Sequence, residues 1–81
     1  MTIQYAGYGA NDKWVEVTSY IRNIHTRTKA DFMEIVVNDQ LSQGVDPAFG
    51  SFKTLVVVLT KDGKTFVNFA GSNNVLRIPT K

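Results

Sequence analysis

The chain alternates apolar and polar positions with a period of two over much of its length. Across Phe52–Thr60, Lys53, Leu55, Val57 and Leu59 share one face, and Thr54, Val56, Val58 and Thr60 the other. This is the alternation of a pleated strand. Leucine and β-branched residues on both faces predict a central strand, covered on two sides or nearly so. Lys61-Asp62-Gly63-Lys64 follows, and then a second run, Thr65–Ala70. Asp-Gly between two such runs predicts a type I′ hairpin, because both central positions of that turn need positive φ.

Asp31–Val37 reads as another strand, with Met33, Ile35 and Val37 set against Phe32, Glu34 and Val36. Glu34 implies that its second face meets water. Lys13–Ile21 follows the same pattern, with Val15, Val17 and Ile21 opposite Trp14, Glu16 and Thr18. Thr2–Tyr5 is a shorter strand ending at Gly7-Tyr8-Gly9, and Val75–Ile78 is closed by Pro79, which offers no N–H to a ladder. Arg22–Ala30 contains Thr26, Thr28 and other weak helix formers, and is expected to be a turn or extended connection rather than a short helix. Asn38–Ser51, rich in Asn, Asp, Gly, Ser and Pro, is the longest loop, and long loops often carry function. Together these elements predict an all-β domain spanning residues 1–81, a small antiparallel sandwich or barrel of about five to seven short strands.

Size changes the picture by limiting the core. At 81 residues only about 60–65% of the unfolded chain's surface can be buried. With no cysteine, neither disulfides nor the commonest zinc sites add stability, which leaves oligomerisation as the remaining reinforcement. The 43% hydrophobic and 20% charged content is that of a folded chain. Net charge is +2 and the pI about 9.1, but the basic residues are interspersed with acids. Only Arg22, Arg27 and Lys29 approach a cluster, too sparse for a nucleic-acid footprint. The longest apolar run, Leu55–Leu59, is far below the ~20 residues of a membrane span. The start, Met-Thr-Ile-Gln-Tyr, has none of the marks of a secretory leader. A soluble, cytoplasmic protein is expected, although a leader removed before residue 1 would leave no trace.

Several short motifs then combine. Tyr8-Gly9-Ala10, Trp14 and Val17-Thr18 are followed by Asn38, Asp46-Pro47, Gly50 and Lys53-x-Leu55-x-Val57, with Gly63 and Ile78-Pro79 to close. The combination resembles the β-rich domain at the C-terminus of DnaJ-like C11 proteins, a domain that also occurs alone in microbial proteins. Glu16 stands where that pattern has aspartate before Val-Thr, and Leu59 where tyrosine is common. There is no J-domain, so no chaperone role is implied. The resemblance implies an interaction module without catalysis, and it transfers no functional residues. Physically, Gly9 and Gly50 are expected to supply positive φ or close backbone approach. Asp46-Pro47 is expected to initiate a turn, the carboxylate accepting from the N–H two residues on.

Catalytic chemistry is thinly represented. His25 is the only histidine, expected on the surface in a turn, and none of Ser19, Ser42, Ser51 and Ser72 lies in a nucleophile elbow. Asp39 and Asp46 could pair as acid and base, but Asx turns account for both. Asn38, Asp39, Gln43 and Asp46 offer oxygen ligands to calcium without EF-hand spacing, and Gly7-x-Gly9 lacks the third glycine of a dinucleotide loop. No cofactor is implied. The aromatic residues are more suggestive: Tyr5, Tyr8, Trp14 and Tyr20 all lie near the start of the chain. Trp14 shares the polar face of its strand, where an exposed ring stacks on a sugar or anchors a protein. A lone Trp in a small domain is more usually packed in the core, and partial burial is the default expectation for it. The candidate partner-binding set is therefore Tyr8, Trp14 and Tyr20, with Asn38 and Asp46 in the loop. The expected function is a non-catalytic binding module for a protein or a glycan. The alternative is a self-assembling structural subunit, a homo-oligomer joined through exposed sheet edges. Neither nucleic-acid binding nor membrane insertion is expected.

Overall fold

The computed structural model describes residues 1–81. Six strands and one helix follow one another as β1 (Thr2–Ala10), β2 (Lys13–Glu16), α1 (Thr18–Arg27), β3 (Phe32–Val36), β4 (Thr54–Lys61), β5 (Lys64–Gly71) and β6 (Val75–Pro79), with a 3₁₀ turn at Asp39–Ser42 between β3 and β4. All pairings are antiparallel. Four strands form one sheet in the order β2-β1-β4-β5, and β3 pairs with β6 in a second. The fold is small and all-β, as expected. No helix is long and apolar enough to cross a membrane.

Alternation along β4 sets the layering. Leu55, Val57 and Leu59 are buried, while Thr54, Val56, Val58 and Thr60 on the other side are half-buried. Across the pairings, Ile3, Ala6 and Tyr8 of β1 join the buried row. Met33 and Ile35 of β3 with Leu76 and Ile78 of β6 belong to the same core. β4 is central, as its composition predicts, but it is covered on one face only. The second sheet has just two strands and serves one side of the larger sheet. At ~1.5–3 kcal/mol for each large aliphatic side chain removed from water, this single interior supplies the main driving force of folding.

The Asp62-Gly63 hairpin forms as read, with φ of 53° and 77° at its two central residues and Lys61 facing Lys64. β1 is longer than expected and runs through Gly7-Tyr8-Gly9 to Ala10. Its alternation changes phase at a bulge between Ile3 and Tyr5. The extra residue lets Ile3 point inward together with Ala6 and Tyr8, although their spacing breaks a strict period of two. Gly9 lies where a Cβ would meet the backbone of Lys13 and Trp14, so close approach is its role, whereas Gly50 takes a φ of 81°.

The region after Glu16 corrects two expectations. Lys13–Ile21 is not one strand, and Arg22–Ala30 is not an extended connection, because α1 occupies Thr18–Arg27. The strand ends where Val17 donates its N–H to the Ala6 carbonyl at 2.8 Å. The Thr18 hydroxyl accepts the Ala6 N–H at 3.0 Å, which removes that position from the ladder. Val17, Ile21 and Ile24 then recur at helical spacing on the side facing the core. Threonine is a weak helix former, yet Thr26 and Thr28 return their hydroxyls to the carbonyls of Arg22 and Ile24 at 2.9 and 2.7 Å. His25 and Arg27 in the last turn favour the negative end of the helix dipole. His25 is therefore half-buried on a helix rather than placed in a turn.

Ile21, wholly buried, is the side chain that ties α1 to the core. Ile21→Ala is expected to lower the stability of the folded chain by ~2–5 kcal/mol in urea unfolding. Asn23→Ala, on the exposed side of the same helix, is expected to change it by less than about 0.5 kcal/mol.

Candidate functional site

The five candidate residues do not all converge on one site. Tyr8 is fully buried, at 1% exposure, so its ring belongs to the core. Only its hydroxyl reaches a polar recess of about 200 Å³ lined by Asn38, Asp39, Lys53 and Ser72 among others. There it donates to Asp39 Oδ1 at 2.7 Å. Burial first, and then the hydrogen bond to the Asp39 carboxylate, push the phenol far above its ordinary pKa. Tyr8 is thus held as a neutral donor, which suits a structural role.

Asn38 and Asp46 also work locally. Asn38 Oδ1 accepts from the Gln40 N–H at 2.9 Å and caps the 3₁₀ turn. Asp46 Oδ1 accepts from the Ala48 N–H at 3.1 Å, as an Asx turn requires, and pairs with Lys53 Nζ at 3.0 Å. Asp39 does not form the Asx turn expected of it, because its carboxylate answers Tyr8. Asn38, Asp39 and Asp46 are each engaged through Oδ1, and no group of three or more His, Cys, Asp or Glu side chains gathers anywhere. Lys53 donates in addition to the Ser51 carbonyl at 3.1 Å. Ser72 accepts from the Lys53 N–H and donates to its carbonyl, at 3.0 and 2.9 Å. Together these bonds fasten the long loop to the end of β5. Tyr20 is exposed on α1; it does not line this recess, but shares a separate shallow groove with Asn38.

Trp14 lies at the surface, 42% exposed, rather than packed in the core as a lone Trp more usually is. Its indole Nε1 donates to the Asn11 carbonyl at 2.7 Å, so the ring is held at the β1–β2 turn. Opposite Gly9 on the ladder, it stands on the outer face of the four-stranded sheet, the face that β3 and β6 leave open.

Register extends that face across the sheet. One row is Tyr5, Val58 and Val67; the next is Glu16, Gly7, Val56 and Phe69; the third is Trp14, Gly9, Thr54 and Gly71. Glycines leave room for aromatic neighbours: the Tyr5 side chain lies over Gly7, and the Phe52 ring over Gly71. Phe69 is 70% exposed, Phe52 69% and Val67 60%. Of these the candidate set holds only Trp14; Tyr5 stands out in the sequence solely as an aromatic near the start of the chain, and Phe52, Val67 and Phe69 do not stand out. The missed signal was the apolar character of both faces of the hairpin, which was read as evidence of two-sided cover.

Tyr8 also carries the pH dependence of this arrangement. Tyrosine in an unfolded chain ionises near pH ~10, while the folded chain keeps the Tyr8 proton to higher pH. Its contribution is therefore fully present below pH ~10 and is lost as pH rises above that value. Tyr8→Phe is expected to cost ~1–2 kcal/mol at pH 8. In paired urea unfolding curves, the gap between wild type and variant is expected to narrow above pH ~10, by at most about 1.4 kcal/mol per pH unit. A constant gap up to pH 11 would contradict the assignment. No known protein-family model matches the chain, and no curated protein or solved structure shows significant similarity to it.

Proposed function

We propose that the chain is a non-catalytic interaction module that recognises a protein partner through the outer face of its four-stranded sheet. The observation that carries this reading is the exposure of Tyr5, Trp14, Phe52, Val67 and Phe69 on or beside one continuous sheet face. Aromatic side chains held at fixed positions are the usual anchors of protein interfaces, and contiguous apolar patches on small domains mark interaction sites. The resemblance to the domain of DnaJ-like C11 proteins points the same way.

Protein is favoured over glycan by the polar groups available. A sugar site combines a stacking ring with several converging hydrogen-bonding groups. Here the Trp14 Nε1 is already bonded to Asn11, and the neighbours along its row are Gly9, Thr54 and Gly71. The groups that would serve catalysis are committed elsewhere, Asp39 to Tyr8 and Asp46 to Lys53.

Substituting Tyr5→Ser, Trp14→Ser and Phe52→Ser together removes three of the four aromatic side chains of this face, leaving Phe69, without touching a fully buried side chain. The triple variant is expected to keep its far-ultraviolet circular dichroism and to lose at least tenfold in capture of protein partners from a cell extract. Tyr20→Ser, on the helix, is expected to capture as wild type does. Equal capture by the triple variant would sink the proposal.

A further inference from the structure

β5 is an edge with unusual properties. It has no neighbour on its outer side, runs for eight residues, and contains no buried side chain. Its only charge is Lys64, at the turn end, and it carries neither proline nor bulge. The other edge of the same sheet, β2, is four residues long and carries Lys13 and Glu16, devices that ordinarily block edge pairing.

The register identifies the free groups. The two-residue turn makes Lys61 and Lys64 a hydrogen-bonded pair, and pairs alternate from there. Lys64, Phe66, Asn68 and Ala70 therefore bond inward to β4, while Thr65, Val67 and Phe69 direct their N–H and C=O groups away from the sheet. Gly71 shares that outward phase, but its carbonyl accepts from the Asn74 N–H at 3.2 Å. Bonds made by turns and loops engage none of Thr65, Val67 and Phe69. Below the same edge, Leu59, Phe66, Asn68, Ile78 and Pro79, together with Lys61 and Lys81, line a notch of about 330 Å³.

We infer that the occupant of this edge is β5 of a second copy, paired antiparallel about a two-fold axis at Val67. This goes beyond the proposed function, since it uses the backbone of the sheet's edge rather than the aromatic face. In that register Thr65 faces Phe69 of the partner subunit and Val67 faces its own counterpart, so every free N–H and C=O of Thr65, Val67 and Phe69 meets a complement. Each Lys64 lies opposite Ala70 of the partner subunit, so no like charges are opposed. Phe66 of the partner subunit falls opposite Asn68, at the mouth of the notch. A register shifted along the strand leaves some of these groups unpaired, which makes the Val67-centred arrangement the self-complementary one. Phe66, Val67 and Phe69 leave on the order of 300 Å² of side-chain surface open. That is below the ~800 Å² per partner of tight complexes, so the dimer is reversible and depends on concentration.

The test is light scattering coupled to size-exclusion chromatography over a hundredfold range of protein concentration. Wild type is expected to rise from the mass of the 9.0 kDa chain toward twice that value. Val67→Lys and Val67→Glu, each placing like charges across the axis, are expected to stay at the single-chain mass with unchanged circular dichroism. An equimolar mixture of the two variants is expected to recover the doubled mass. A wild type that remains a single chain throughout overturns the inference, as does a dimer unaffected by either substitution. Loss of capture in the Tyr5, Trp14 and Phe52 triple variant by a single-chain wild type would sink the dimer alone, whereas a Val67-dependent dimer with undiminished capture by that variant would sink the aromatic-face reading alone.

Discussion

The row Leu55, Val57 and Leu59 holds this molecule together. These side chains lie in the middle of the larger sheet, on the strand paired to both β1 and β5, and they share one core with the two-stranded sheet and α1. An 81-residue chain has material for one such interior. The second sheet and the helix both pack on the inner face, and no element within residues 1–81 packs on the outer one. The aromatic side chains of that face, and the strand at its margin, are therefore exposed.

Polar interactions act within that frame. The long loop between β3 and β4 is held by short-range bonds: Asn38 to the Gln40 N–H, Asp46 to Ala48 and Lys53, and Ser72 to Lys53. The Tyr8 hydroxyl connects the core to this loop through Asp39. No buried side-chain nitrogen or oxygen lacks a partner. The Asp39 and Asp46 carboxylates thus hold the loop to the core and to Lys53.

Much of the fold was legible in the residues. The Asp62-Gly63 turn needs positive φ at two adjacent positions, a demand so local that surrounding structure cannot alter it. The alternation in β3, β4 and β6 likewise transfers directly to burial. The errors have a common origin in tertiary contacts. A period of two cannot reveal a bulge between Ile3 and Tyr5, since the extra residue is recognised only against the partner strand. Thr18 reads as a strand residue until its hydroxyl is seen to take the Ala6 N–H. Val17 and Ile21 fit a helix of 3.6-residue period as well as a strand. At the candidate site, Trp14 was legible as an aromatic on a polar strand face. Phe52 and Phe69 were not, because apolar residues on both faces of a hairpin look alike whether the second face is covered or open.

β5 is tied to the rest of the sheet through backbone bonds to β4 and through a turn whose two residues set its register, and it places no side chain fully in the interior. Its sequence can therefore vary with little effect on the fold. In a chain with so small a core, most positions are constrained by stability, and changes to them compete with folding. This strand is largely exempt: a substitution at Thr65, Val67 or Phe69 alters what the edge meets while leaving the interior as it was. The domain thus separates the residues that decide whether it folds from those that line its open edge, and the second set can diversify on its own.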